Sequence, residues 1–270
     1  MNLHDDVFTL ARDIGERNVT KPRAYADAAA FTERSLPSAT RQEFEAGVNI
    51  ESEVRGNDEI IVVGAHYDSV VGSPGADDNA TGVAAIIELA RRFGRLQPAR
   101  TLRFVAFANE EPPHFGTPAM GSWQYARRCH ERGEKIVAML SLETIGYFSD
   151  APKSQTYPAR LDLIYPGTAN FIAFVSNIKS RRLLRRCVRA FKGFPVESGS
   201  LPTVIPGVGW SDQWAFWEFG YRAVMVTDTA PFRNPHYHTA SDRPETIDFA
   251  RLAQVIDGLT GVIEELANAT

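Results

Sequence analysis

His66 and Asp68 stand directly after the apolar run Glu59-Ile60-Ile61-Val62-Val63-Gly64-Ala65, whose β-branched residues mark a strand covered on both faces. Asn109-Glu110-Glu111 follows a second strand-like run, Thr101 to Phe107, and Glu143 closes a third, Ile136 to Leu142. A further run, Ala223 to Val226, precedes a loop carrying His236, Tyr237 and His238, while Gly75-Ala76-Asp77-Asp78-Asn79 lies between the first strand and its helix. Ligands of parallel α/β sheets bind beyond the carboxyl ends of the strands, so chemistry is expected at these positions. Imidazoles and carboxylates converging from separate strand ends form a zinc donor set, and a carboxylate with two free oxygens can bridge two ions. An aspartate two residues after a histidine suits a supporting role, accepting the other ring N–H and fixing the tautomer, so Asp68 is read as holding His66. Each residue alone has an ordinary structural explanation: a strand-end histidine, an Asp-Asp turn, a solvated Glu-Glu pair. Their coincidence, with Glu110-Glu111 leaving an apolar strand without a basic neighbour, points to a site.

The elements that must position these residues alternate. Polar, alanine-containing segments at Val7–Ile14 and Tyr25–Leu36 predict two surface helices, the second preceded by Thr20 and Pro22. Val83, Ile86, Ile87 and Ala90 repeat at helical spacing before Arg91, Arg92 and the stop at Gly94; Ser122 to Arg132 also reads as helix. Leu161 to Tyr165 reads as an additional strand, and Phe249, Leu252, Ile256, Leu259, Ile263 and Leu266 form one stripe on a long closing helix. The pattern predicts an α/β fold, a three-layer α/β/α sandwich around a mostly parallel, mixed sheet, in one domain over residues 1–270.

At 270 residues, with 44% hydrophobic and 23% charged residues, the chain is that of a compact globular protein. The formal charge of −4 argues against nucleic-acid binding, and the Arg181, Arg182, Arg185, Arg186, Arg189 and Lys192 run reads as a solvated helix face. No apolar stretch approaches a membrane span and the N-terminus shows no export signal, so the chain as written reads as soluble and cytoplasmic, with secretion open if a signal was trimmed. Cys129 and Cys187 permit one disulfide or none. No Gly-x-Ser-x-Gly elbow, P-loop or dinucleotide fingerprint supports a serine hydrolase or nucleotide reading.

From about Ile60 to its end the chain resembles the co-catalytic di-zinc aminopeptidases related to bacterial leucine aminopeptidase. Four segments carry the likeness, in the family's order: Gly64-Ala65-His66-Tyr67-Asp68-Ser69, Gly75-Ala76-Asp77-Asp78-Asn79-Ala80-Thr81-Gly82, Asn109-Glu110-Glu111-Pro112-Pro113 and Tyr237-His238-Thr239-Ala240-Ser241-Asp242. The resemblance implies two zinc ions, one held by His66 and Glu143, the other by Glu111 and His238, with Asp78 between them. It makes Glu110 the general base and likens Tyr237 to a tyrosine that polarises the scissile carbonyl in some members, a packed loop aromatic being the alternative. Two positions depart from the pattern. Glu143 stands where many members have aspartate, so its longer side chain alters the spacing or occupancy of that metal position, and Ser211-Asp212-Gln213 stands where Ser-Asp-His is common.

The expected activity is removal of the first residue from peptides with a free amino terminus. Two rivals share the fold: a glutaminyl-cyclase-type enzyme using one zinc, and a metal-free binding domain. Asp77-Asp78-Asn79 with Glu143 argues against the first, and five filled ligand positions against the second. His114 and His236 lie near the ligands outside their pattern, and Phe115, Trp123, Phe148, Trp210 and Phe232 are candidate pocket walls. Oligomeric state and the preferred N-terminal residue are not legible.

Overall fold

The computed structural model describes residues 2–268. Its frame is one eight-stranded sheet in the order β1-β2-β4-β3-β5-β8-β6-β7. The strands are β1 (Thr40–Phe44), β2 (Gly47–Val54), β3 (Asn57–His66), β4 (Arg100–Phe107), β5 (Lys135–Glu143), β6 (Ile172–Ser176), β7 (Val196–Ser200) and β8 (Ala223–Thr227). The central strands β4, β3, β5 and β8 run parallel, β2 joins them antiparallel, and β6 is antiparallel to β8 and parallel to β7. The expected mixed, mostly parallel sheet is present.

Helices α1 (Leu3–Phe8), α2 (Pro22–Ser35), α3 (Gly82–Phe93), α5 (Arg181–Ala190) and α7 (Phe249–Asn268) pack on one face of the sheet, with α1 continuing through a wider helical segment over Thr9–Ile14. The opposite face carries α4 (Gly121–Glu131) and α6 (Gln213–Glu218). Strand alternation supplies both cores: Ile61, Val63 and Ala65 of β3 face the larger layer, while Ile60 and Val62 face the smaller one. Each fully buried aliphatic side chain contributes roughly 1.5–3 kcal/mol, so α3, apolar on nearly every side, is held mainly by packing.

Two readings need correction. Leu161–Tyr165 is not a strand: Leu161–Leu163 is a 3-10 turn, and Leu163 and Ile164 are 71% and 75% exposed. Leu161 and Tyr165 line a pocket, so the apolar character of the segment does not reflect sheet burial. The N-terminal helices are more than surface cover, because Val7, Leu10, Ala28 and Phe31 enter the main core. The β1–β2 hairpin and β6, β7 and α6 carry no strong periodic signal, and the sequence did not show them. Cys129 and Cys187 are both free, one in each core on opposite faces of the sheet, and burial lifts each thiol to about 12. Among the described residues no helix is long and apolar enough to cross a membrane.

Candidate metal centre

Every expected ligand arrives at the carboxyl edge of the parallel strands. His66 ends β3, Glu143 ends β5, Glu110 and Glu111 follow β4, His238 lies in the loop after β8, and Asp78 sits in the turn between β3 and α3. His66 Nε2 lies 3.2 Å from Asp78 Oδ1 and 3.2 Å from Glu143 Oε2. His238 Nε2 lies 3.0 Å from Asp78 Oδ2 and 3.5 Å from Glu111 Oε2. Two donor triads thus share Asp78, each facing one of its oxygens. Tetrahedral zinc with bonds of ~2.1 Å separates its donors by roughly 3.4 Å, so these spacings fit an ion in each triad.

Satisfaction and charge agree with the spacing. His66 Nε2, Asp78 Oδ1 and Glu111 Oε1 are buried without a hydrogen-bond partner, although the first two are within ion-pair distance. Leaving such atoms unpaired is costly unless a cation meets them. Burial pushes Glu110 and Glu111 well above the usual carboxylate range, their acidic neighbours adding to the effect. Glu143 is raised as well, chiefly by burial. Burial opposes a charged His66, yet Glu143 and Glu110 outweigh it and raise the imidazole. Burial likewise opposes a charged Asp78, but His238 and His66 hold that carboxyl below its usual range. A bound cation would relieve this crowding and favour every ionised carboxylate.

Two aspartates from the recognised segments hold the backbone that presents the ligands. Asp68 accepts the Glu110 N–H on Oδ1 at 3.1 Å and the Glu111 N–H on Oδ2 at 3.0 Å. Asp242 does the same for Asp77 and Asp78, at 2.9 and 3.1 Å. Asp68 also meets His66: the ring Nδ1 faces its backbone carbonyl at 3.2 Å and its carboxylate at 3.5 Å, so one aspartate serves the imidazole and the Glu110-Glu111 amides together. Asn109, with φ 56°, supplies the bend that brings both glutamates toward the cluster. Glu110 Oε2 ends 4.0 Å from His66 Nε2, outside both triads that share Asp78, and forms a third, looser donor group with His66 and Glu111.

The sequence did not reveal several supports. Asn79 accepts the Gly82 and Thr144 N–H groups and donates to the Leu142 carbonyl, tying the Asp78 turn to the end of β5. Arg17, fully buried, donates to the carbonyls of Tyr67, Pro74 and Gly75 and so pins the N-terminal segment under the same turn. Ser211 Oγ donates to Glu143 Oε2 at 2.7 Å, which accommodates the longer side chain at that position. Gln213 faces away, donating to the Val208 carbonyl, while Asp212 is buried beside the centre and lifted by burial to about 7. Polar Ser-Asp-Gln could have flagged Ser211, but Arg17 leaves no local sequence signal.

Tyr237 stacks on His238 with centroids 3.8 Å apart and lines a pocket beside Glu143. Burial and then the charges of Asp78, Glu143, Glu111 and Glu110 raise its phenol far above the ordinary value, keeping it a proton-bearing donor. Trp210 and Phe232 line the same pocket, whereas Phe115 and Trp123 pack on Trp214, and Phe148 packs on Phe194. His236 is tied to Ser241, and neither it nor His114 belongs to a donor group.

The family model of peptidase family M28 matches residues 48–263. YfbL of Escherichia coli K12 is 39% identical over 212 residues, covering 74% of this chain and 65% of YfbL. Aminopeptidase YwaD of Bacillus subtilis is 29% identical over 211 residues, covering 77% of this chain and 41% of YwaD. The chain therefore spans less than two thirds of these relatives' length. The crystal structure of LapA from Legionella pneumophila superposes with a TM-score of 0.78 at 19% identity, covering 99% of this chain and 73% of LapA.

Proposed function

The chain belongs to peptidase family M28, and from that premise we propose that it is a zinc aminopeptidase that removes the first residue of peptides with a free amino terminus. The observation that carries this reading is the pair of donor triads meeting on the two oxygens of Asp78. His66 and Glu143 would hold one ion, Glu111 and His238 the other, with Asp78 between them. When bound, zinc supplies Lewis acidity, acidifying water and polarising a carbonyl.

The chain's own residues do the rest. Glu110 stands outside the shared triads with its carboxylate beside them, so it takes the proton from the attacking water and returns it to the leaving amine. The Tyr237 hydroxyl donates to the developing oxyanion, a role its retained proton permits. Carboxylates around the second triad hold the substrate's α-ammonium, which confines cleavage to the chain end. Asp68 and Asp242 position the ligand-bearing backbone. A cyclase-type centre needs one ion and would leave one of the two triads without a purpose.

The test is elemental analysis together with peptide cleavage. Close to two zinc ions per chain are expected, with activity lost on chelation. Free peptides should be cut and their N-acetylated forms should resist. One ion at saturation would favour the cyclase-type reading, and equal cleavage of both peptide forms would exclude an exopeptidase.

A further inference from the structure

Strand register places Glu143 opposite Thr227, Thr227 opposite Ala173, and Ala173 opposite Glu197, so these four residues form one row across β5, β8, β6 and β7. Paired residues share a face, and this is the face that carries α4 and α6. Among the described residues no helix covers its β6–β7 end, where the segments around Tyr157–Tyr165 and Leu201–Trp210 close over an apolar pocket instead. All four residues of the row line that pocket, which begins at Glu143 and Tyr237 and includes Glu197.

Glu197 is out of keeping with those walls. Among the described residues no lysine, arginine or histidine lines the pocket. Glu197 has no hydrogen-bond or ion-pair partner among the described residues, and burial alone raises its pKa, with no cation opposing the shift. Close by, the rings of Tyr157 and Tyr165 stack 5.8 Å apart; burial chiefly raises both phenols, the Arg233 charge lowers Tyr157, and the Glu197 charge raises each. Their hydroxyls are committed to the backbone carbonyls of Pro166 and Ser198, which leaves ring surface to a ligand.

We infer that this pocket receives the side chain of the peptide's first residue and that Glu197 selects a cationic one, arginine before lysine. The inference rests on the aminopeptidase reading, which puts the scissile bond beside Glu143. Three strand spacings of ~4.8 Å separate the Cα atoms of Glu143 and Glu197 by roughly 14 Å. By standard bond lengths an extended arginine reaches roughly 7 Å from its Cα, while the Glu197 side chain rises from the sheet face into the pocket. Arginine therefore spans about half of that distance, and leucine far less. A planar guanidinium also fits the tyrosine rings better than an ammonium, because it stacks as well as pairing with the carboxylate.

Citrulline, a neutral near-isostere of arginine, isolates the charge. With the zinc-loaded full chain, kcat/KM for an arginyl anilide should exceed that for the citrullyl anilide by about tenfold or more, as expected for a hydrogen bond to a charged group. Lysyl anilide should fall between them. Glu197→Gln should bring the arginine-to-citrulline ratio close to one. A ratio near one in the unaltered protein, which requires no variant to fold, overturns the inference, and so does a ratio that Glu197→Gln leaves intact. Calorimetric binding of argininamide and citrullinamide gives the same ratio without catalysis. If no anilide is cleaved, the aminopeptidase reading fails, and the calorimetric ratio still decides whether Glu197 selects a cation.

Discussion

Glu110 and Glu111 are identical side chains on consecutive residues, yet they occupy different places. Glu111 Oε2 lies 3.5 Å from His238 Nε2 within a triad that shares Asp78, while Glu110 Oε2 lies 4.0 Å from His66 Nε2 and outside both such triads. Glu110→Gln should lower kcat by about two to four orders of magnitude with zinc content unchanged, the range typical of a lost general base. Glu111→Ala should instead lower zinc occupancy, because it removes a donor. Paired metal and rate measurements decide the matter: metal loss at Glu110 with intact metal at Glu111 reverses the roles, and full activity in both removes the mechanism. The candidate ligands were legible because polar groups at the ends of apolar strands have few other reasons to be there. The double acceptance by Asp68 and Asp242 was not, since it depends on where two remote backbone amides point.

Among the elements, the turn from β3 into α3 carries the tightest constraints. A Cβ on Gly82 would lie 2.4 Å from Asn79 Oδ1 and 2.7 Å from the Leu142 carbonyl, the groups that lock the turn to β5. Gly75, at φ 62°, has the Asp78 carbonyl 2.3 Å from where its Cβ would stand. Gly82→Ala should therefore displace Asn79 and loosen Asp78, reducing zinc affinity by about 10- to 100-fold, as for other groups that support metal ligands. Competition with a zinc chelator measures this, and unchanged affinity would show that Asn79 does not set the position of Asp78. The central strands and α7 were legible because burial on both faces, or on one stripe, imposes a pattern on the residues. The β1–β2 hairpin lies at the sheet margin with half-exposed strands such as Thr-Arg-Gln-Glu-Phe, where burial imposes little. Leu161–Tyr165 misled for the opposite reason: Leu161 and Tyr165 are apolar where they line a pocket, outside any strand.

For the whole molecule, the centre links metal, pH and stability. Burial raises Glu110, Glu111 and Glu143 above the usual value of 4.5, and Glu143 and Glu110 raise His66 above 6.5. Burial also lifts Asp77 well up, Asp228 and Asp212 to about 7, and Asp242 to about 6. A group whose folded pKa exceeds its unfolded one binds more protons in the folded state between the two values. There the slope of unfolding free energy with pH, which follows unfolded minus folded protons, is negative. Asp78, held below its usual 3.8, has the opposite sign but acts only in stronger acid. Chelated protein should therefore lose stability as pH rises from about 5 to 8. Zinc requires deprotonated ligands, so its affinity climbs over the same range, and its stabilisation grows as RT ln(1 + [Zn]/Kd). The Tm difference between zinc-loaded and chelated protein should accordingly widen steadily with pH. Calorimetry at four pH values with and without chelator reads this directly. A gap constant with pH, or a chelated Tm that climbs from pH 5 to 8, would show that the crowded carboxyls are not the groups that zinc relieves.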